Sequence, residues 1–511
     1  MPQGTGRGGG REPNIPNYDS TMTEERALEN FPRVASFKNV QALKAHLATL
    51  PIPVACDDSL LPLDRNPLAQ PLTVYGRTVG NRFAIHPMEG WDASLDGRPT
   101  DLVLRRWRNF GISGAKLIWG GEAVAVRRDG RANPNQLYYC EANRKALAEL
   151  LPALKKAHRE RCGTTEDLLV GLQLTHSGRF CRPEPDHQSR PRIAYRHPIL
   201  DGTFGIQDDR PILSDPELGD LVQDYVAAAR FAAEVGFDFV DIKHCHGYLL
   251  HEFLSAHTRP GPYGGSLENR TRLLREISAA IRRDVPGLHL AVRLSTFDLV
   301  PFTHPAPGQG ARGVPLDFRP YLPYRYAFGV NPGNPLEMDL TEPVRFLQLC
   351  RELGIALVNI SGGSPYYSPH IQRPAYFPPS DGYPPPEDPL TGCARLLDVA
   401  ARCKHAVPHL TMVGTGYTYF QDYLPLVAQA QVRLGHVDFV GIGRMVLAYP
   451  ELPHDVLSGR ALDRKRICRT FSDCTTGPRN RMVSGCYPLD PHYKSLPEAE
   501  AVRKLRQKSG R

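Results

Sequence analysis

Three observations predict an α/β protein built on a (β/α)₈ barrel, the TIM barrel, with long βα loops and an extended C-terminal segment. Between about residue 80 and residue 445, eight short apolar runs alternate with amphipathic helical segments. Continuous apolar runs of this kind indicate parallel strands that are buried on both faces. The first run also lacks the G-x-G-x-x-G turn with which an open, doubly wound sheet usually begins.

The eight predicted strands are all rich in Val, Ile, Leu or Phe. In order, the runs are RFAIHP (82–87), AKLIWG (115–120), LLVGLQLTH (168–176), FDFVDIK (237–243), LHLAVRLS (288–295), IALVNIS (355–361), HLTMVG (409–414) and VDFVGIG (437–443). Two of the helical segments between them have clear start signals. One follows Ser214 and ends at Gly236, and the other follows Ser266 with Glu268 in its first turn.

The chain divides into three predicted regions. Residues 1–70 form an N-terminal extension, whose start, MPQGTGRGGGREPN, is expected to be a disordered Gly/Arg tail and not a signal peptide. Residues 71–465 form the barrel, and residues 466–511 form a Cys-containing extension with a basic tail. Two Pro-, Gly- and Tyr-rich segments, 301–340 and 362–390, follow predicted strands and are expected to shape a site at the C-terminal face. The alternative is that these two segments are surface loops without a role in the site.

Composition excludes several classes of protein. Five positive charges of the tail RKLRQKSGR contribute to the net charge of +8, so no nucleic-acid surface is expected. No run approaches 18 apolar residues, so no membrane span is expected. The 11 scattered cysteines are typical of free thiols in a cytoplasmic enzyme. A homo-oligomer is possible.

The predicted strand ends carry the polar and glycine residues of a candidate site. Because chemistry in a barrel lies at the C-terminal ends of the strands, these ends supply the candidates: Pro87, Met88, Glu89 and Trp91, then Ala123, Gln173, Lys243, His246, Tyr248, Arg293, Gly363, Gly414, Gly443 and Arg444. Glycines at the last three ends let backbone N–H groups approach an anion, and Arg444 adds charge. The last strand ends therefore predict a site for a phosphorylated cofactor or substrate.

His244 and His246 in DIKHCHGYLLHEF allow a second interpretation, a metal-dependent barrel hydrolase. Two histidines in a His-x-His pattern lie on one face of a strand, as metal ligands can. This interpretation needs further ligands at other strand ends, and it leaves Gln173, Arg293 and the glycines unexplained. No metal is expected.

The longer motifs resemble a known family. VDIKHCHGYLLHEFLSAHTRPGPYGGSLENRTRLLREI resembles the signature of the Old Yellow Enzyme family, FMN-dependent NAD(P)H:flavin oxidoreductases. LQLTHSGR, AVRLS and DFVGIGRMVLAYPELP fall at the matching strands, so the resemblance covers roughly residues 70–465. It implies FMN across the barrel mouth and NADH or NADPH as co-substrate.

The resemblance also implies cofactor contacts. Gln173 would bind the flavin pyrimidine, and Arg293 would lie near flavin N1 and O2, where negative charge grows on reduction. Ala123 would contact the ring through its backbone, Pro87 and Met88 would flank the ring, and Glu89 would lie near O4 and N5. The ribityl phosphate would be held by Gly363, Gly414, Gly443 and Arg444.

The implied reaction is ping-pong. Hydride passes from the nicotinamide to flavin N5 and then to an electron-poor substrate, typically the β-carbon of an α,β-unsaturated carbonyl compound. His246 matches the second member of the pair that binds the carbonyl oxygen, and Tyr248 matches the proton donor. Trp91 falls where an aromatic ring can cover the substrate.

Two positions depart from the family. Lys243 replaces the first histidine of the substrate-binding pair, and Glu89 stands where Thr or Cys is frequent. Their charges are opposite, so we hypothesise an ion pair or a coupled proton site beside the flavin, with the two charged groups within about 4 Å of each other. Alternatively, each side chain points to solvent. The departures allow a second function, a flavin-binding protein with little enone reductase activity.

A cysteine pattern follows the barrel. CRTFSDCTTGPRNRMVSGC places Cys468, Cys474 and Cys486 at a spacing that resembles larger relatives with a [4Fe–4S] cluster. Phe471 stands where another ligand would fall, and such clusters normally need four thiolates. We therefore expect a thiol region without a cluster.

Overall fold

The structure, a computed structural model, describes residues 31–308 and 310–508, and it confirms the predicted barrel. The predicted disordered start of the chain lies outside the described residues. Eight parallel strands close into one sheet, because the last strand pairs with the first. In chain order, barrel strands 1 to 8 are Phe83–Ile85, Leu117–Ile118 with Ala123–Ala125, Leu169–Thr175, Phe239–Ile242, His289–Ser295, Leu357–Ser361, Thr411–Gly414 and Phe439–Ile442.

Helices surround the barrel. After barrel strands 1 to 7 the chain returns through Asp101–Gly111, Leu150–Cys162, Asp215–Val235, Arg272–Asp284, Thr341–Glu352, Pro389–Ala406 and Leu424–Arg433, and after strand 8 through Arg444–Ala448 and Leu452–Leu457. The helices outside this repeat are Val40–Leu47, Arg144–Leu147, Leu200–Phe204, Leu249–Leu254, Leu267–Arg270, Pro369–Gln372, Asp473–Arg479, Pro491–Lys494 and Glu498–Lys508. In the described parts of the chain, no helix has both the length and the apolar character to cross a membrane.

The two helix start signals are present. The Ser214 hydroxyl accepts from the Glu217 N–H and the Glu217 carboxylate accepts in return, and the helix ends before Gly236 at φ +94°. Ser266 caps a single turn, Leu267–Arg270, and Thr271 separates that turn from Arg272–Asp284. One predicted helical segment is therefore two helices.

The barrel interior is a packed core at its amino-terminal end. Side chains such as Leu117, Trp119, Phe239 and Phe439 fill it, and a hairpin of Leu72–Val74 and Arg77–Val79 packs against them. Since this end is filled, a ligand can enter the barrel only at the carboxyl ends of the strands.

The segments outside the barrel repeat cover that carboxyl end. Residues 301–340 contain two small hairpins, Phe302–Thr303 with Val314–Pro315 and Val330–Asn331 with Asn334–Met338. The C-terminal extension folds back over the mouth, where the Ser484 N–H donates to Gly90 O at 3.1 Å and Arg479 donates to Pro365 O at 2.6 Å. The extension is therefore part of the wall of the candidate site.

Candidate functional site

A cavity of about 210 Å³ opens at the carboxyl ends of the barrel strands. Ten of the fourteen candidate residues line it: Pro87, Met88, Glu89, Trp91, Lys243, His246, Tyr248, Arg293, Gly443 and Arg444. They come from strands 1, 4, 5 and 8, which are far apart in sequence. The barrel topology therefore brings the predicted set into one pocket.

Four candidates do not line this cavity: Ala123, Gln173, Gly363 and Gly414. The Gln173 amide donates to Asp241 Oδ2 at 2.6 Å, inside the barrel. Ala123 O accepts from Gln136 at 3.3 Å, and the Gly363 N–H donates to Phe297 O at 2.7 Å. A Cβ at Gly414 would lie 2.9 Å from Val437, so this glycine is required for packing. The cofactor contacts of these four residues stay predictions.

Lys243 and Glu89 face one another in the pocket wall. Lys243 Nζ lies 3.6 Å from Glu89 Oε1, and the exposed fractions of the two side chains are 3% and 26%. The ammonium also lies 3.8 Å from the centre of the Tyr248 ring, a favourable cation–π contact. Burial raises the pKa of Glu89, although the neighbouring Lys243 and Arg106 oppose this effect. The hypothesised ion pair is therefore present, with a carboxylate that burial makes costly to ionise.

His246 is held in an unusual backbone conformation. Its φ is +67°, in the left-handed region, which costs free energy for a residue with a side chain. Its N–H donates to Ser295 Oγ at 3.0 Å and its C=O accepts from Ser364 Oγ at 2.8 Å. These contacts to the ends of the next two strands fix the direction in which the ring points.

The His246 ring is neutral. Burial, together with the charges of Arg293 and Lys243, holds its pKa well below the usual range. Its Nε2 lies 3.1 Å from the Gln372 amide nitrogen, a donor. A neutral imidazole that accepts at Nε2 carries its proton on Nδ1, so this histidine has one N–H to offer.

Tyr248 is buried and linked to a second tyrosine. Its hydroxyl lies 2.9 Å from the Tyr366 hydroxyl, and the Tyr366 ring stacks on Phe180 with centroids 3.9 Å apart. Burial raises the pKa of Tyr248 well above its usual value. The phenol therefore keeps its proton at neutral pH and can donate it.

Arg293 brings a buried cation to the pocket. Its residue is 6% exposed, and Nε has no hydrogen-bond partner among the described residues. Burial lowers its pKa, while its own backbone N–H donates to Asp241 Oδ1 at 2.7 Å. A buried guanidinium with an unpaired donor indicates that the pocket receives an electron-rich group there.

A second group of cations in this pocket was not predicted from the sequence. Arg373 and Arg479 line it beside Arg444. Arg373 Nε and Nη2 and Arg444 Nη1 are buried without a partner in the described chain. Burial lowers the pKa of Arg373 to about 10. Arg373 lies in the Pro-rich segment 362–390, and Arg479 lies in the extension, so neither follows a strand directly; the alternation of strands gave no signal for them.

The three cysteines of the extension lie together. Cys468, Cys474 and Cys486 line a small cavity of about 20 Å³ with Phe471, next to Arg444. The Phe471 ring stacks on Phe377 with centroids 5.7 Å apart. Residues 31–308 and 310–508 contain no group of three or more His, Cys, Asp or Glu side chains placed to hold a metal ion.

Residues 67–304 match the model of the NADH:flavin oxidoreductase / NADH oxidase family. This match agrees with the resemblance of the sequence motifs to the Old Yellow Enzyme family. The chain is 32% identical over 236 residues to an NADPH dehydrogenase of Bacillus subtilis strain 168, a match that covers 45% of this chain and 64% of that protein. The chain thus spans less than two thirds of the curated relatives' length.

Two solved structures share the fold. A 2-naphthoyl-CoA reductase complex superimposes with a TM-score of 0.60 at 20% identity, over 84% of this chain and 57% of that chain. An Old Yellow Enzyme homologue from Zymomonas mobilis gives 0.51 at 21% identity, over 79% of this chain and 97% of that chain. At these identities the likeness concerns the fold alone.

The lining of this pocket fits FMN, the cofactor that the family match implies. Unpaired donors of Arg373 and Arg444 provide the charge that a phosphate needs. The wall is also shaped for close approach at Gly443, where a Cβ would lie 3.0 Å from Met88 Sδ. Arg293 lies in another part of the same wall and fits an electron-rich ring.

Proposed function

We propose that this protein is an FMN-dependent oxidoreductase that takes hydride from NADH or NADPH and gives it to a small electron-poor molecule, of the α,β-unsaturated carbonyl type. The observation that carries the proposal is a single pocket that combines unpaired arginine donors with Lys243, His246 and Tyr248. Bound FMN supplies the hydride acceptor and donor. The eleven cysteines are free thiols, which suits a cytoplasmic protein.

The cationic side chains of the pocket have the role of binding and orienting FMN. Arg444 and Arg373 would hold the phosphate of FMN, with Gly443 allowing its close approach, because a guanidinium pairs with phosphate oxygens through two N–H groups. Arg293 would stabilise negative charge on bound FMN, since a fixed cation in a buried place needs no reorganisation. Pro87 and Met88 form the side wall. These residues would bind FMN more tightly than riboflavin.

The substrate side offers two donors for a carbonyl oxygen. Lys243 has an ammonium with three N–H groups, and His246 has the Nδ1–H assigned above. Either donor draws electron density from a conjugated double bond and prepares its far carbon for hydride. Tyr248, which keeps its proton, then protonates the other carbon. Trp91 covers the substrate.

The existing contacts of Lys243 favour a second candidate function, that of a flavoprotein with little enone reductase activity. This ammonium already contacts Glu89 and the Tyr248 ring. A substrate oxygen must compete with both contacts. His244, in contrast, gives no support to a metal hydrolase, because its Nδ1 lies 2.7 Å from Ile242 O and its ring packs beside Phe346.

Anaerobic reduction of the purified protein tests the proposal. A yellow protein whose visible band is bleached by NADH or NADPH is an FMN oxidoreductase. A panel of enones, nitroalkenes and enoyl thioesters as re-oxidants then identifies the substrate class. Bleaching without re-oxidation by any of them supports the second candidate, and a colourless protein contradicts both.

A further inference from the structure

A buried cluster of charges lies directly behind Glu89. Arg106, whose side chain is 3% exposed, donates to Asp92 Oδ1 at 3.0 Å and Oδ2 at 2.5 Å. It also donates to Glu122 Oε2 at 3.1 Å. The Gly90 N–H donates to the same Glu122 oxygen at 3.1 Å. The backbone that carries Glu89 is therefore tied to Glu122.

The cluster has one carboxyl group more than it has cations. Glu89, Asp92 and Glu122 are three acids, while Arg106 and Lys243 are two cations, which leaves an excess of one negative charge if every acid ionises. The exposed fractions of the Asp92 and Glu122 side chains are 0% and 3%. An uncompensated buried charge is costly. The cluster therefore retains a proton at neutral pH.

The environments of the carboxyl oxygens locate that proton. Both Asp92 oxygens accept from Arg106, whereas Glu122 Oε1 has no hydrogen-bond partner among the described residues and Glu89 Oε1 has only the ion-pair contact with Lys243 at 3.6 Å. Burial raises the pKa of Glu122 to about 8 and also raises the pKa of Glu89. Other ionisable neighbours are Tyr493 beside Arg106 and Tyr487 near Asp92. On the pocket side they are Cys245, His246, Tyr248 and Tyr366.

We propose that Glu89 and Glu122 share one proton, that they bind it more tightly when the flavin is reduced, and that it is the source of the proton that the substrate takes up with the hydride. The inference rests on the proposed function. Glu89 is the member that lines the pocket, and Lys243 lies between Glu89 and the Tyr248 ring. Glu122 does not line the pocket and acts as a positioning residue.

The transfer balances in atoms and electrons. The substrate's carbon–carbon π bond breaks and two C–H bonds form, one with the hydride that came from the nicotinamide and one with the proton. The nicotinamide is oxidised and the substrate is reduced. Tyr248 gives its O–H proton to the substrate carbon, and the shared carboxyl O–H of Glu89, which lines the same pocket, replaces the proton that Tyr248 loses. Water then restores the carboxyl proton. Negative charge on a reduced flavin would raise the affinity of the pair for its proton.

The reduction potential of the bound flavin, measured against pH, tests this proposal without a known substrate. In the unmodified protein, the potential should fall more steeply around and above pH 8, where the pKa of Glu122 lies. The extra slope corresponds to one additional proton taken up per two electrons. In Glu122→Gln the cluster has two acids and two cations, so this additional proton should disappear.

Glu252→Gln is the matched control. Glu252 is a buried acid that shares Arg179 with Asp201, and its pKa is raised to about 7, but it does not line the pocket. Its substitution should leave the slope above pH 8 unchanged. If the unmodified protein and Glu122→Gln have equal slopes, the proposal is wrong.

Two further measurements keep the outcomes distinct. In the flavin-free protein, the infrared carbonyl band of a protonated carboxylic acid should decrease near pH 8, and this titrating part should be lost in Glu122→Gln and kept in Glu252→Gln. If Glu122→Gln does not fold, Glu89→Gln replaces it with the same expectation. If the protein binds flavin and a nucleotide bleaches the flavin absorption, but neither the extra slope nor the titrating carbonyl band is found, this inference alone is wrong. A protein without flavin overturns the proposed function together with it.

Discussion

Removal of the Lys243 charge should destabilise the protein in a pH-dependent way. At 3.6 Å, a unit charge pair attracts by about 4 to 5 kcal/mol at an effective dielectric constant of about 20. Desolvation offsets part of this attraction, and the Glu89 side chain is 26% exposed. We expect a coupling free energy of about 2 kcal/mol from the double-mutant cycle of Lys243→Met and Glu89→Gln.

The sign of the pH dependence follows from the pKa of Glu89. Burial raises that pKa in the folded protein above its usual value of 4.5. The folded protein therefore binds a proton that the unfolded chain releases, and stability is lost as pH rises through the folded pKa. Lys243 limits this loss because it stabilises the carboxylate. Lys243→Met should cost little in acid, where Glu89 is protonated, and most in alkali.

Urea unfolding of the four proteins of the cycle at about pH 5 and about pH 8.5 measures this difference. Lys243→Arg is the control, because it keeps the cation and should not acquire the pH-dependent loss. A coupling that is equal at the two pH values, or larger in acid, would refute the assignment of an ionisable Glu89 to this pair.

Three other substitutions have expected results. Arg373→Met should weaken FMN binding to the flavin-free protein about tenfold or more, as loss of a charged hydrogen bond does, and leave riboflavin binding unchanged; equal losses for both flavins would argue against a phosphate contact. Arg293→Met should lower the reduction potential of bound FMN, because it removes a cation that favours the reduced form; a raised potential would contradict this. Tyr248→Phe should slow re-oxidation of the reduced enzyme by an enone about 10²- to 10⁴-fold with no change in its reduction by nucleotide, measured by stopped-flow absorbance; slower reduction would indicate a different role.

The amino-acid sequence was sufficient to predict the barrel fold. All eight strand predictions are confirmed, because each parallel strand is buried on both faces and therefore appears as a continuous apolar run. Once the strands are assigned, the residues at their C-terminal ends are identified as well. For this reason, the sequence alone could predict that Lys243, His246 and Arg293 meet Glu89 in one pocket.

Residues outside the strand ends could not be predicted. Arg373 and Arg479 lie in segments that have no strand or helix period, so their direction depends on tertiary contacts such as the one between Arg479 and Pro365 O. The break at Thr271 within a continuous helical pattern is a similar case, since either one helix or two would satisfy the periodicity. The buried charge cluster is another case, because Arg106, which holds Asp92 and Glu122 together, lies in a helix on the outside of the barrel.

Anaerobic titration of the purified protein with NADH and with NADPH, followed through the visible flavin absorption, is the decisive measurement for the proposed function. We predict a yellow protein with one FMN per chain that loses its visible band stoichiometrically with at least one of the two nucleotides. A protein that neither retains FMN nor binds it when FMN is added, or whose bound FMN is reduced by neither nucleotide, would contradict the proposed function.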